Sequence, residues 1–174
     1  MSDQQDHGPH RTGATTQHAA HARRGLGPYA ALALNMALSL VAMYFLMFSM
    51  VDNWGDFFNN ANMALMAVTM AAPMGVLMLA LMPSMYPSRT ANLVLYAVFI
   101  VAFVLALAGI RTQTPIGDEQ FVASMIPHHS GAILMCREAD ITDAELKMLC
   151  EGIVTGQRQE IEQMKQILAR LQAS

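Results

Sequence analysis

Three uncharged apolar runs constrain this chain more than any other feature. Tyr29 to Val51 is 23 residues without a charge, Ala61 to Met82 is 22, and Ala91 to Ile110 is 20. A helix needs about 20 predominantly apolar residues to cross a bilayer. The hydrocarbon core offers no water to free backbone groups, so such runs must cross as helices. Composition agrees, with 54% hydrophobic and only 13% charged residues, against about 25% charged in an ordinary soluble domain. The formal net charge of -3 lacks the basic excess of a nucleic-acid binder. Trp54, Phe57 and Phe58, in the loop after the first run, suit an interfacial aromatic belt. Pro73 lies within the second run and predicts a kink there.

The basic residues give an orientation. Arg11, Arg23 and Arg24 precede the first run and Arg89 lies between the second and third, whereas the loop DNWGDFFNNAN has no Lys or Arg. The positive-inside rule then puts the N-terminus and the Arg89 loop in the cytoplasm, and three spans deliver the C-terminal segment outside. In a bacterial inner (plasma) membrane that side is the periplasm. The domain reading is a polar tail at 1–27, a three-span membrane domain at 28–111 and a helical segment at 118–174. The tail holds His7, His10, His18 and His21. It lacks aliphatic periodicity and reads as disordered, although histidine-rich tracts can bind metal. It is too long, and the following run too extended, for a signal peptide.

The stretch FVASMIPHHSGAILMC, Phe121 to Cys136, is the part with chemistry in it. At 3.6 residues per turn, Met125, His128, His129, Met135 and Cys136 share about a third of a helix circumference. Imidazole beside thioether and thiol is a ligand set that suits Cu(I). Methionine at helical spacing is by itself ordinary core filler; the His-His pair on the same face is what tips the reading toward metal. Eleven of the 16 methionines lie between Met36 and Met85. In the second span they recur in steps of three or four from Met63 to Met85. Adaptable packing between spans explains that stripe; a thioether-lined Cu(I) face is the functional alternative. No histidine, cysteine or acid occurs within the runs, so no pump or channel is expected.

The C-terminal segment reads as two helices. The first begins near Asp118, a good N-cap, and Pro127 kinks or restarts it while freeing a carbonyl near Ala123. Thr142 and Glu145 form a capping box for the second, which runs from about Asp143 to Leu171. Leu146, Leu149, Ile153, Ile161, Met164, Leu168 and Leu171 make its apolar seam, with Gln157 in the middle. Counted symmetrically from the turn, Gly152 and Gly156 come opposite His129 and Met125. The same count offsets Cys136 and Cys150 by about five residues, roughly 7 Å along the axis. That is long for a disulfide, so two free thiols are expected, with Cys136 a conceivable thiolate ligand. Two cysteines without a CxxC exclude a zinc-finger pattern.

FVASMIPHHSGAILMC and GQRQEIEQMKQIL together resemble domain of unknown function 305, a ferritin-like helical family that includes CopM-like periplasmic copper-binding proteins. The resemblance covers about residues 118–171. It implies metal-linked positions at Met125, His128, His129, Met135 and Met164, and polar family positions at Gln157 and Glu160. It departs from the family at Cys136 and Cys150, where small residues are usual, and in having three spans.

The expectation is an all-α protein: three transmembrane helices followed by an exported hairpin, a ferritin-like half-bundle. A hairpin of some 55 residues is too small to bury a core alone, which favours a homodimer closing a four-helix bundle; a hairpin lying against its own spans is the rival. The expected role is Cu(I) or Ag(I) binding for copper handling. No nucleophile–base–acid set, phosphate loop or ExxH pair indicates an enzyme, though bound copper could support redox chemistry. A structural or assembly module whose histidines bind no metal is the alternative.

Overall fold

The computed structural model describes residues 26–173, so the four tail histidines lie outside the described residues. The described chain is all-helical. Three membrane-length helices come first: α1 (Pro28–Leu46), α2 (Ala61–Leu81) and α3 (Arg89–Thr112); α4 (Asp118–Glu138) and α5 (Ala144–Gln172) follow. Two 3-10 turns, Met47–Met50 and Trp54–Asp56, lie between α1 and α2. With the first turn included, three helices are long and apolar enough to cross a membrane: Pro28–Met50, Ala61–Leu81 and Arg89–Thr112. Their outer residues are exposed in the isolated chain, Leu93 at 71% and Leu105 at 66% among them. Lipid is the solvent that such a surface needs, and this is a membrane protein.

Within the membrane unit α2 packs against both α1 and α3. Gly75 allows the close approach to α3, because a Cβ there would meet the Phe99 ring at 2.6 Å. Leu32, Leu79 and Tyr86 form a buried cluster flanked by Met36, Met78 and Phe99. α2 runs unbroken through Pro73. Tyr29 Oη donates to Asn92 Oδ1 at 2.9 Å and accepts from the Ser88 amide at 3.0 Å, fastening α1 to the start of α3. α3 ends at Gln113, which is left-handed at φ 53°. Such a conformation is uncommon outside glycine; here the Gln113 side-chain Nε2 donates to the Ile110 carbonyl at 2.7 Å, satisfying one of the orphan carbonyls of the helix end.

The hairpin α4–α5 stands at the same end of the membrane unit as the α1–α2 connection, since α4 packs on both 3-10 turns and on α2. Val122, Ala123, Ile126, Ile133, Ile161 and Leu168 form its core, with Phe58 of the connection packed against it. Each buried Ile or Leu contributes on the order of 1.5–3 kcal/mol. Part of α4's cover therefore comes from the chain's own first loop. Gly131 lets α4 approach the turn at Met50, whose carbonyl would lie 3.3 Å from an added Cβ.

Pro127 is accommodated inside one continuous α4. The carbonyl that it frees, Ala123, accepts from Asn60 Nδ2 at 3.5 Å. The caps differ by one residue from expectation. Gly117 is the N-cap of α4, with Asp118 in the first turn, where a carboxylate favours the helix dipole. Asp143, not Thr142, caps α5, accepting from the Leu146 amide at 2.8 Å.

The two cysteines correct the sequence reading. Cys136 and Cys150 form a disulfide with Cα atoms 5.4 Å apart, so neither is a free thiol and Cys136 is no thiolate ligand in this form. Symmetric counting failed because the connector is not a compact turn. Ala139 and Asp143 are both extended, so the chain climbs beyond the end of α4 before α5 begins. α5 then overhangs its partner by roughly a turn at 1.5 Å rise per residue. Leu146, on that overhang, and Leu149, beside the disulfide, were expected in the seam and are 44% and 58% exposed. The shift also moves Gly152 and Gly156 away from His129 and Met125: an added Cβ at either would meet nothing within 4 Å.

Candidate metal centre

α4 distributes its candidate ligands over different surroundings, because adjacent helical residues point about 100° apart. His128 is exposed and His129 half-buried, and their rings stand 6.1 Å apart with a 59° tilt. His128 and Met125 border a cavity of about 610 Å³ between the hairpin and the membrane unit, whose other walls include Met47, Met50, Met63 and Met66. His129 turns toward α5, where its Nδ1 lies 3.3 Å from Glu160 Oε2. Met164 packs against the hairpin core. Met135 is 54% exposed, and Cys136 is tied into the disulfide. The five α4 candidates thus share one helix face less closely than their spacing implies, and of all six only Met125 and His128 line the same cavity.

Burial lowers the His129 pKa from 6.5, as does the neighbouring His128, while the Glu160 carboxylate pulls the other way. The ring is therefore neutral at pH 7, and its approach to Glu160 is a charged pair only on acidification. Nδ1 has no hydrogen-bond partner, and neither has Gln157 Oε1 on the facing helix; both atoms are buried. An unpaired buried polar atom is costly, so these two mark a polar spot in an otherwise apolar helix interface. Among the described residues no three His, Cys, Asp or Glu side chains converge as a metal cluster. Hard-ion sites need clusters of oxygen ligands. What α4 offers is a thioether and an imidazole on one wall, a soft set.

The cavity's two sides are pinned by polar bonds. Asn62 Nδ2 donates to Ser124 Oγ at 3.0 Å, and the Ala61 amide donates to Gln120 Oε1 at 2.8 Å. On the far side of α4, Ser130 is fully buried; its Oγ donates to Asp56 Oδ2 at 2.7 Å and accepts from the Asp52 amide at 2.9 Å. Lys165 Nζ reaches Asp56 Oδ1 at 2.7 Å and Arg137 reaches Asp52 at 2.6 Å. The loop carboxylates therefore bind Ser130 and Arg137 of α4 and Lys165 of α5. Sequence reading missed this set. Its only signal was two acids in a loop without a basic residue, which leaves their partners unnamed.

A family model described as a domain of unknown function (DUF305) matches residues 105–168. An uncharacterized protein of Acanthamoeba polyphaga mimivirus is 32% identical over 116 residues, 66% of this chain and 74% of that protein. No solved structure matches the chain. The matched residues run from the end of α3 to Leu168 in α5 and take in the whole His-His motif, so the chain belongs to the DUF305 family.

Proposed function

We propose that this is a membrane-anchored protein that binds Cu(I), or the similarly soft Ag(I), through its hairpin, for copper sequestration or handling. The observation that supports the reading best is that Met125 and His128 border the same cavity. Thioether with imidazole favours Cu(I) over harder ions. His129 adds a neutral ring whose Nδ1 lacks a hydrogen-bond partner. Met135, exposed, and Met164, against the core, are secondary. The membrane is proposed to be a bacterial plasma membrane with the hairpin periplasmic, on the strength of Arg23, Arg24 and Arg89. A homodimer belongs to the same proposal: a second hairpin could cover Leu146, Leu149 and Met135, exposed at 44%, 58% and 54%, and complete a four-helix bundle. No role as an enzyme is proposed.

The test is elemental analysis of protein purified after growth with copper, together with Cu(I) competition against a chelator. The parent should retain copper and the His128→Ala/His129→Ala double variant should lose it. The alternative is a structural module whose histidines bind no metal. A parent that takes up no copper, with normal folding, decides for that alternative.

A further inference from the structure

The cavity beside Met125 and His128 has a second wall that the family motif does not contain. Met47 and Met50 come from the turn that ends the first span, and Met63 and Met66 from the first turns of α2. Five of the thirteen lining residues are methionine, in a chain with 16 among 174. The rest of the α2 stripe goes elsewhere. Met78 packs beside Leu32 and Leu79, and Met70, Met82 and Met85 are 51%, 43% and 50% exposed. The stripe is therefore no continuous track through the membrane unit. Its N-terminal members meet the hairpin, and the other methionines serve packing or face lipid.

Resting on the soft-metal reading above, we propose that a Cu(I) site at the junction of the membrane unit and the hairpin draws its ligands from Met47, Met50, Met63 and Met66 together with Met125 and His128. The donor chemistry fits: thioethers are soft and uncharged, so they can sit at the edge of the hydrocarbon region without the desolvation cost of a thiolate or carboxylate. Imidazole supplies the single stronger donor. The walls are held in register by the Asn62–Ser124 bond and by the Ala61 amide to Gln120. Methionine's three rotatable bonds allow its sulfur to adjust to a metal within that frame. On this reading the spans are more than an anchor, because they supply ligands and place the metal at the membrane boundary.

Four Met→Leu changes at 47, 50, 63 and 66 test this in the full-length protein in detergent. Leucine keeps volume and apolarity, so folding should be retained. Circular dichroism and thermal unfolding check that it is. A control carries Met→Leu at 36, 43, 70 and 74, none of which lines the cavity. Cu(I) affinity is read by chelator competition, and the number of sulfur neighbours by X-ray absorption. The cavity variant should lose more than about tenfold in affinity, a loss that even outer-shell changes can produce, and should show fewer sulfur neighbours. The control should match the parent. If the cavity variant binds like the parent while His128→Ala/His129→Ala does not, the hairpin binds alone: the junction site is wrong and the proposed function stands. Equal loss in cavity variant and control also overturns the junction site. A parent without Cu(I) binding overturns both.

Discussion

Asp56 holds the hairpin to the membrane unit. It is 5% exposed and accepts from Ser130 Oγ while pairing with Lys165. Removing one partner from a buried ion pair strands the other's charge, which costs about 3–5 kcal/mol when both are fully enclosed. Lys165 is 30% exposed, so water takes up part of that cost and about 1.5–3 kcal/mol is the expected loss for Asp56→Ala. Hydrogen exchange should find faster amides in α4 and α5, with α2 and α3 unchanged. Unaltered exchange throughout would show that the pair is ornamental. Ser130 was unremarkable in sequence, one hydroxyl beside two histidines; its partner Asp56 is 74 residues away along the chain, beyond the reach of any local pattern.

The helices themselves were largely legible. The spans follow from the length and apolarity of their runs, and the starts of α4 and α5 from Asp118 and Thr142 to within a residue. The carbonyl freed by Pro127 was expected at Ala123, and Asn60 supplies its donor. What failed at this scale was the register of α4 against α5, because an extended connector moves one helix along the other without changing either helix's periodicity. The disulfide gives a direct check. Thiol titration of the unfolded, unreduced protein should find none, and reduction should release two. A crosslink closing a loop of about 15 residues contributes about 3 kcal/mol in the chain-entropy account. The Cys136→Ser/Cys150→Ser variant should therefore exchange faster over the overhanging start of α5. Retained protection there would mean that packing alone fixes the register.

In the whole molecule, the α1–α2 connection and the hairpin share one end, as an odd number of spans requires if the C-terminal segment leaves the side on which the chain starts. Which side that is rests on the basic residues. In the Cys136→Ser/Cys150→Ser background, a membrane-impermeant thiol reagent should label Ser174→Cys in intact spheroplasts and label Ser2→Cys only after lysis. The opposite pattern inverts the orientation and puts the candidate metal site in the cytoplasm.

The sequence by itself determined three membrane helices, a two-helix segment after them and a motif of soft donors on one helix. Each of these is written in neighbouring residues: run length, periodicity, caps and the Met-His spacing. The tertiary structure alone decided which donors meet. It set Met125 and His128 beside methionines from two spans, turned His129 to Glu160, placed Met164 against the core and joined Cys136 to Cys150. The physical reason is that docking depends on buried polar bonds such as Ser130 to Asp56 and on the climb of an extended connector. Both couple residues far apart in the chain, where helical periodicity says nothing about who faces whom.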